Sequence, residues 1–171
     1  EGQYQRAFIA SERSPRYAAA FAKYLVEEGR DARAGQVLKE ALLVTPDSPE
    51  LIEALAKHKF SLGDLAGATE AADRLILAGG PRISAAYRII GAVHMEKNEY
   101  DKGIQAYNKA HRISPQSREI LSALIEVYIA ANREEEAMEF LNLKLRSGSS
   151  ESSVLLLIGK LHLRNANNSE A

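Results

Sequence analysis

The chain contains 171 residues, 46% of them hydrophobic, and its 22 Lys and Arg residues nearly balance its 23 Asp and Glu residues, giving a formal net charge of −1. This composition supports a folded core and excludes the strong positive charge typical of nucleic-acid binders. The chain has no Cys, which excludes disulfides, thiolate catalysis and cysteine-based metal sites. No apolar run approaches the roughly 20 residues that cross a bilayer, so we expect no direct membrane insertion.

Helix-start and helix-stop residues recur along the chain. Ser14 and Ser48 each precede a Pro at the first helical position, and Ser117 lies where a third N-cap is expected. Turn residues between helices are Gly29, Gly63, Asn98 and Asn132, as left-handed C-caps require. The pattern predicts ten helices, at residues 2–11, 16–28, 31–44, 49–61, 65–78, 83–97, 100–113, 118–131, 134–147 and 151–165.

The helices belong to an internal repeat. Residues 29–46, 63–81 and 98–115 share a turn residue, a small residue five positions later and a Pro or Gly at the end of the helix. Extending this register gives repeat starts that are 34, 35, 34 and 34 residues apart, at Pro15, Pro49, Ser84, Arg118 and Ser152. The extra residue falls in the loop at residues 79–81, where an insertion costs little.

Side-chain size follows the same register. Position 20 of the repeat is small throughout, at Ala34, Ala68, Gly103, Ala137 and Ala171. Position 8 is small in four repeats, at Ala22, Ala56, Gly91 and Gly159, and is occupied by Ile125 in the fourth repeat. At these residues the chain resembles the tetratricopeptide repeat (TPR) family, whose 34-residue helix–turn–helix units need small residues where two helices approach closely.

The resemblance implies an all-α fold, a right-handed superhelical α-α solenoid of TPR helix pairs. We expect one array over residues 1–171, in which residues 1–14 are the second helix of a preceding repeat. Full repeats follow at 15–48, 49–83, 84–117 and 118–151, and residues 152–171 are a truncated repeat. Because both ends cut through a repeat, we expect the sequence to be a piece of a longer bacterial TPR protein.

No motif indicates catalysis or a cofactor. The four His residues show no metal-ligand spacing, and no phosphate loop, dinucleotide fingerprint, HExxH or nucleophile elbow occurs. His94 and His162 share repeat position 11, inside the helix pair, and we expect both to be packing residues. His58 and His111 are expected at surface or semi-buried positions. We therefore expect no enzyme activity, no cofactor and no metal site.

The resemblance also indicates where a partner would bind. In a TPR superhelix the first helices line the concave wall, and position 12 is one of the positions that face it. Position 12 is apolar in all five repeats, and charged side chains of mixed sign surround it. The predicted partner-binding groove therefore contains Val26, Phe60, Met95, Ile129 and Leu163 with Lys57, Arg88 and Glu126. The alternative is that position 12 only packs against the next repeat.

The family resemblance implies a non-catalytic scaffold that binds a peptide or helical segment of another protein. One alternative is a structural or assembly arm of a larger bacterial envelope, polysaccharide-export or secretion complex. Another is the regulatory region of an enzyme whose catalytic domain lies outside this sequence. The lysines and asparagines with which some TPR domains grip chaperone tails are missing here. We expect a soluble protein of the cytoplasm or periplasm, with possible end-to-end self-association of the fragment.

Overall fold

The computed structural model describes residue 6, residues 14–146 and residues 152–169. From residue 14 onward these residues form nine α-helices and no strand. The helices are α1 Pro15–Glu27, α2 Asp31–Val44, α3 Pro49–Ser61, α4 Leu65–Ala78, α5 Ile83–Glu96, α6 Tyr100–Ile113, α7 Arg118–Ala130, α8 Glu134–Arg146 and α9 Ser152–Ser169.

The helix ends agree with the predicted ends to within one residue, except that α9 continues to Ser169 instead of ending at residue 165. The predicted helix at residues 2–11 lies outside the described residues, apart from residue 6. The cap hydroxyls of Ser48 and Ser117 accept hydrogen bonds from the amides of Leu51 and Ile120, both at 3.4 Å. Ser14 precedes α1 at the predicted cap position, but its side chain makes no cap hydrogen bond.

The turns between paired helices are left-handed, as predicted. Gly29 and Gly63 have φ values of 70° and 76°, and Asn98 and Asn132 have values of 57° and 55°. A left-handed residue ends one helix and turns the chain back, so the next helix can pack antiparallel against it. The four turns therefore produce the helix hairpins of the repeat.

The described helices fall into two compact units, residues 1–93 and residues 94–171. In the first unit α1 packs on α2, and α3 packs on both α2 and α4. One apolar cluster joins α1, α2 and the start of α3 around Phe21, Leu25 and Leu38. A second joins α3, α4 and α5, where Ala56 and Ala68 are fully buried. Small side chains at these positions allow the helix backbones to approach closely.

The second unit has a single large apolar cluster contributed by α6, α7, α8 and α9. Leu124 of α7, Ala137 and Leu141 of α8 and Leu161 of α9 are fully buried within it. The described residues form only helices, as the predicted all-α fold class requires. The division into one array with the stated repeat boundaries stays a prediction.

Candidate partner-binding groove

A cavity of about 360 Å³ opens between α1 and α3 in the first unit, and we call it the α1–α3 groove. Its wall carries Ala19, Ala20 and Ala22 from α1 and Ala54 from α3. The larger side chains of α1, Phe21 and Leu25, are buried in the core cluster. Because three of the α1 residues and one α3 residue that face the groove are alanines, the space between the two helices stays open.

A charged cluster on α3 borders this alanine wall. Glu53 is only 8% exposed, and its carboxylate accepts hydrogen bonds from Lys57, one turn later, and from Arg82, which precedes α5. A second nitrogen of Arg82 donates to Oε1 of Glu50 at 2.9 Å. Burial by itself would raise the pKa of Glu53, but the hydrogen bonds from Lys57 and Arg82 outweigh it and hold the pKa below 4.5. The cluster is therefore charged and held in one arrangement at neutral pH.

Two further cations line the groove on α1. Lys23 lies 3.6 Å from Glu27, but both side chains are largely exposed, so this pair contributes little to stability. Arg16 is exposed and makes no ion pair within the described part of the chain. Among the groove cations, Arg16 is thus the one that no carboxylate of the described residues engages.

His58 contributes to the groove although it was expected at a surface or semi-buried position, and that prediction is wrong. The ring is 6% exposed, and its Nδ1 lies 4.0 Å from Oδ1 of Asp31 without a hydrogen bond to any described residue. A Cβ atom at Gly35 of α2 would lie 3.0 Å from Nε2 of His58. The missing side chain at Gly35 therefore lets the ring enter between α2 and α3.

The other histidines differ in environment. His111 is 9% exposed and packs edge-on against Phe140, with ring centroids 5.6 Å apart, so its expected surface or semi-buried placement is also wrong. His94 is partly buried, and its Nδ1 lies 2.6 Å from Oε2 of Glu99. His162 is exposed, contrary to the expected packing role, because the described helices do not cover that side of α9.

The predicted groove residues are divided between the two units. In the first unit Val26 and Lys57 line the α1–α3 groove. Phe60 is half-buried against the cluster of α3, α4 and α5, and Arg88 is half-buried on α5. The structure thus brings two of these four side chains to the groove.

In the second unit Met95 and Ile129 are half-buried against the core cluster. Glu126 is exposed on α7, and Leu163 is 69% exposed on α9. That these four form part of a binding surface stays a prediction.

Sequence reasoning missed Arg82 and His58. Arg82 lies outside the first-helix positions that the family pattern assigns to the groove. It directly follows the one-residue insertion at residues 79–81, and that insertion was the feature of the sequence that indicated an unusual loop. His58 could have been suspected only from the small Gly35 on the preceding helix.

The described residues show no sign of a metal centre or a membrane span. No group of three His, Asp or Glu side chains within them could hold a metal ion. None of the described helices is both long and apolar enough to cross a membrane.

Known proteins were compared with the chain by sequence and by fold. The sequence model of the tetratricopeptide repeat family matches residues 94–161. No curated protein sequence matches the chain.

Several solved structures share the fold. One is the crystal structure of the APC/C hetero-tetramer Cut9–Hcn1, with a TM-score of 0.70 and 17% identity over 91% of this chain and 32% of that one. This chain thus spans about a third of that neighbour. A TPR protein of Parabacteroides merdae has a TM-score of 0.72 and 15% identity, covering 95% of this chain and 63% of its own. A thermophilic TPR protein of Thermus thermophilus has a TM-score of 0.67 and 18% identity, covering 88% of this chain and 82% of its own.

These likenesses extend beyond the residues that the family sequence model matches. The left-handed turns, the small residues at the helix crossings and the paired antiparallel helices recur in both units. The sequence of residues 94–161 thus matches the tetratricopeptide repeat family, and the solved structures confirm for the other described helices the predicted fold class, an all-α solenoid of TPR helix pairs.

Proposed function

We propose that the protein is a non-catalytic scaffold that binds a peptide or helical segment of another polypeptide in the α1–α3 groove. The TPR fold in general supports protein–protein interaction. The observation that carries the proposal for this chain is the open, alanine-lined cavity beside a fixed cluster of charges.

The size of the groove suits apolar side chains of a partner. Its volume of about 360 Å³ falls within the range of roughly 300–1,000 Å³ that is typical of ligand pockets. Ala19, Ala20 and Ala54 present small apolar surfaces, and Val26 extends this surface along α1. A Leu or Phe of the partner that enters the cavity exchanges water for these contacts, and removing apolar surface from water drives the association.

The charges of the groove give the bound segment a direction. Glu50 and Glu53 are already engaged by Arg82 and Lys57, so the cluster does not have to reorganise when a partner binds. Arg16 lies at the α1 side and makes no ion pair with a described carboxylate, so it attracts an acidic residue of the partner. We therefore infer a segment with a large apolar side chain and a neighbouring carboxylate.

Site-specific photo-crosslinking tests the proposal in the full chain. A photoreactive residue replaces Ala20, which lines the groove and is exposed, or Ala66, which is also exposed on α4 but does not line the groove. In cells that express the protein from its own gene, position 20 should give a defined adduct with another polypeptide, and position 66 should not. Equal adducts from both positions, or none from position 20, would contradict the proposal.

A further inference from the structure

A second cleft lies elsewhere on the first unit and shares no lining residue with the α1–α3 groove. It has a volume of about 400 Å³ and is bordered by α2, α3 and α4. We call it the α2–α4 cleft, and it is lined by Lys39, Leu42, Leu43, Pro46, Leu55 and Arg74, with Gly35 at one end.

The surface of the α2–α4 cleft is mainly apolar. Leu42 and Leu55 are half-buried and form its inner part. Leu43 is 78% exposed, and Pro46 is also exposed beside it. A leucine that projects this far into solvent contributes little to folding, whereas it would lose its water contacts if a partner covered it.

The charged residues in the lining of this cleft are both cations. Lys39 and Arg74 make no ion pair with any described carboxylate. Arg74 donates a hydrogen bond to the carbonyl oxygen of Pro46 at 2.9 Å, which holds its guanidinium at the rim of the cleft. Elsewhere in the first unit Lys57, Lys59 and Arg82 are each paired with a carboxylate. The lining of the α2–α4 cleft thus carries two cations that form no ion pair with the described residues.

We infer that the α2–α4 cleft is a second docking site, and that it binds an acidic, leucine-rich segment of a partner polypeptide. Apolar side chains of the segment pack on Leu42, Leu43 and Leu55, and its carboxylates lie against Lys39 and Arg74. Opposite charges at the rim of an apolar contact fix register and reject segments of the wrong sign. This site is separate from the α1–α3 groove, so one chain can hold two segments at once.

Fluorescence anisotropy with two probe peptides tests the inference. The first probe is a short helix-forming peptide with a leucine face and a glutamate face, and the second has lysine in place of every glutamate. The glutamate probe should bind at least about 10-fold more tightly than the lysine probe, and its affinity should fall as salt is added. Equal affinity of the two probes would overturn the inference, because it would indicate unspecific apolar contact.

Matched variants locate the binding. Lys39→Glu and Leu43→Ser should each weaken binding of the glutamate probe about fivefold. Lys97→Glu and Leu77→Ser change exposed residues of the same types that do not line the cleft, and they should leave the affinity unchanged. All four side chains are exposed, so the variants should fold like the parent.

Two outcomes would identify a different occupant or a different site. If Ala20→Trp rather than Lys39→Glu abolished probe binding, the probe would occupy the α1–α3 groove and the inference would be wrong. Sedimentation equilibrium provides the other check. If the unmodified protein formed dimers that Lys39→Glu dissociated, the cleft would bind a second copy of this chain, and the assignment to a separate partner would fail.

Discussion

At the scale of single residues, the histidine side chains show how burial changes chemistry in this fold. His111 lies in α6, and its ring meets Phe140 of α8 edge-on. Burial lowers the pKa of His111 below 6.5, and the positive charge of Lys144 lowers it further. The folded protein therefore holds His111 in its neutral form at pH values where an exposed histidine would already be protonated.

The lower pKa of His111 in the folded protein predicts that acid decreases the free energy of unfolding of the second unit. Because the folded pKa is the lower one, the unfolded chain binds the proton first, so the free energy of unfolding falls as the pH decreases below about 6.5. Well above that value His111 is neutral in both states and contributes no pH dependence. His111→Leu should reduce the loss of stability between about pH 7.5 and pH 5.5, measured by urea unfolding. An unchanged pH dependence in the variant would contradict the role given to His111.

Residue size was predictable from the sequence, whereas histidine burial was not. Ala34, Ala68 and Ala137 repeat at one register position, and all three are fully buried, because two helices cross at that point in every repeat. His58 and His111 are buried by features that do not recur with the register. The missing side chain at Gly35 makes room for His58, and Phe140 packs against His111.

At the scale of helices and turns, the left-handed residues determine where each hairpin reverses. Gly63 has a φ of 76° and ends α3, and a Cβ atom built on it would meet no heavy atom within 4 Å. Glycine is therefore favoured at position 63 by the left-handed backbone conformation, and not by a lack of space for a side chain. Asn98 and Asn132 adopt the same backbone conformation in the second unit.

Two substitutions at Gly63 distinguish the effect of the left-handed backbone conformation from the effect of steric contact. Gly63→Ala should destabilise the first unit by about 1 kcal/mol, because an alanine in the left-handed region is strained even after its smaller unfolded-state entropy is counted. Gly63→Asn should cost clearly less, since asparagine tolerates that region. The free energy of unfolding in urea checks both. If the asparagine variant were as unstable as the alanine variant, steric contact would be the cause.

Helix limits were predictable because each depends on local residues, whereas contacts between distant helices were not. The predicted ends of α2, α3, α4 and α6 coincide with the observed ends, since Pro, Gly and Asn mark them directly. Arg82 reaches Glu50 and Glu53 across about one repeat of sequence, and only the packing of α5 near α3 brings them together. No local pattern encodes that approach.

At the scale of the whole molecule, the repeat register predicted the fold class but only some of the residues that line the groove. The register assigned a groove wall to the first helices, and Val26 and Lys57 do line a groove in the first unit. It did not reveal that alanines form half of the α1 wall, or that Arg82 holds Glu50 and Glu53. Those features depend on which side chains are small and which loops are long. A continuous apolar surface through both units stays a prediction.

If a partner segment occupies the α1–α3 groove, a bulky side chain that fills the groove should prevent its binding. Ala20→Trp places a large side chain in the cavity at an exposed position, so stability should change by no more than about 0.5 kcal/mol. Ala66→Trp is the matched control on α4, and it leaves the groove open.

The measurement is titration calorimetry of the full chain with the polypeptide that crosslinks to position 20. We expect Ala20→Trp to weaken binding by at least about 10-fold, which corresponds to about 1.4 kcal/mol, and Ala66→Trp to bind like the unmodified chain. Unchanged affinity in Ala20→Trp would contradict the account, because a partner that binds normally when the cavity is filled does not use the groove.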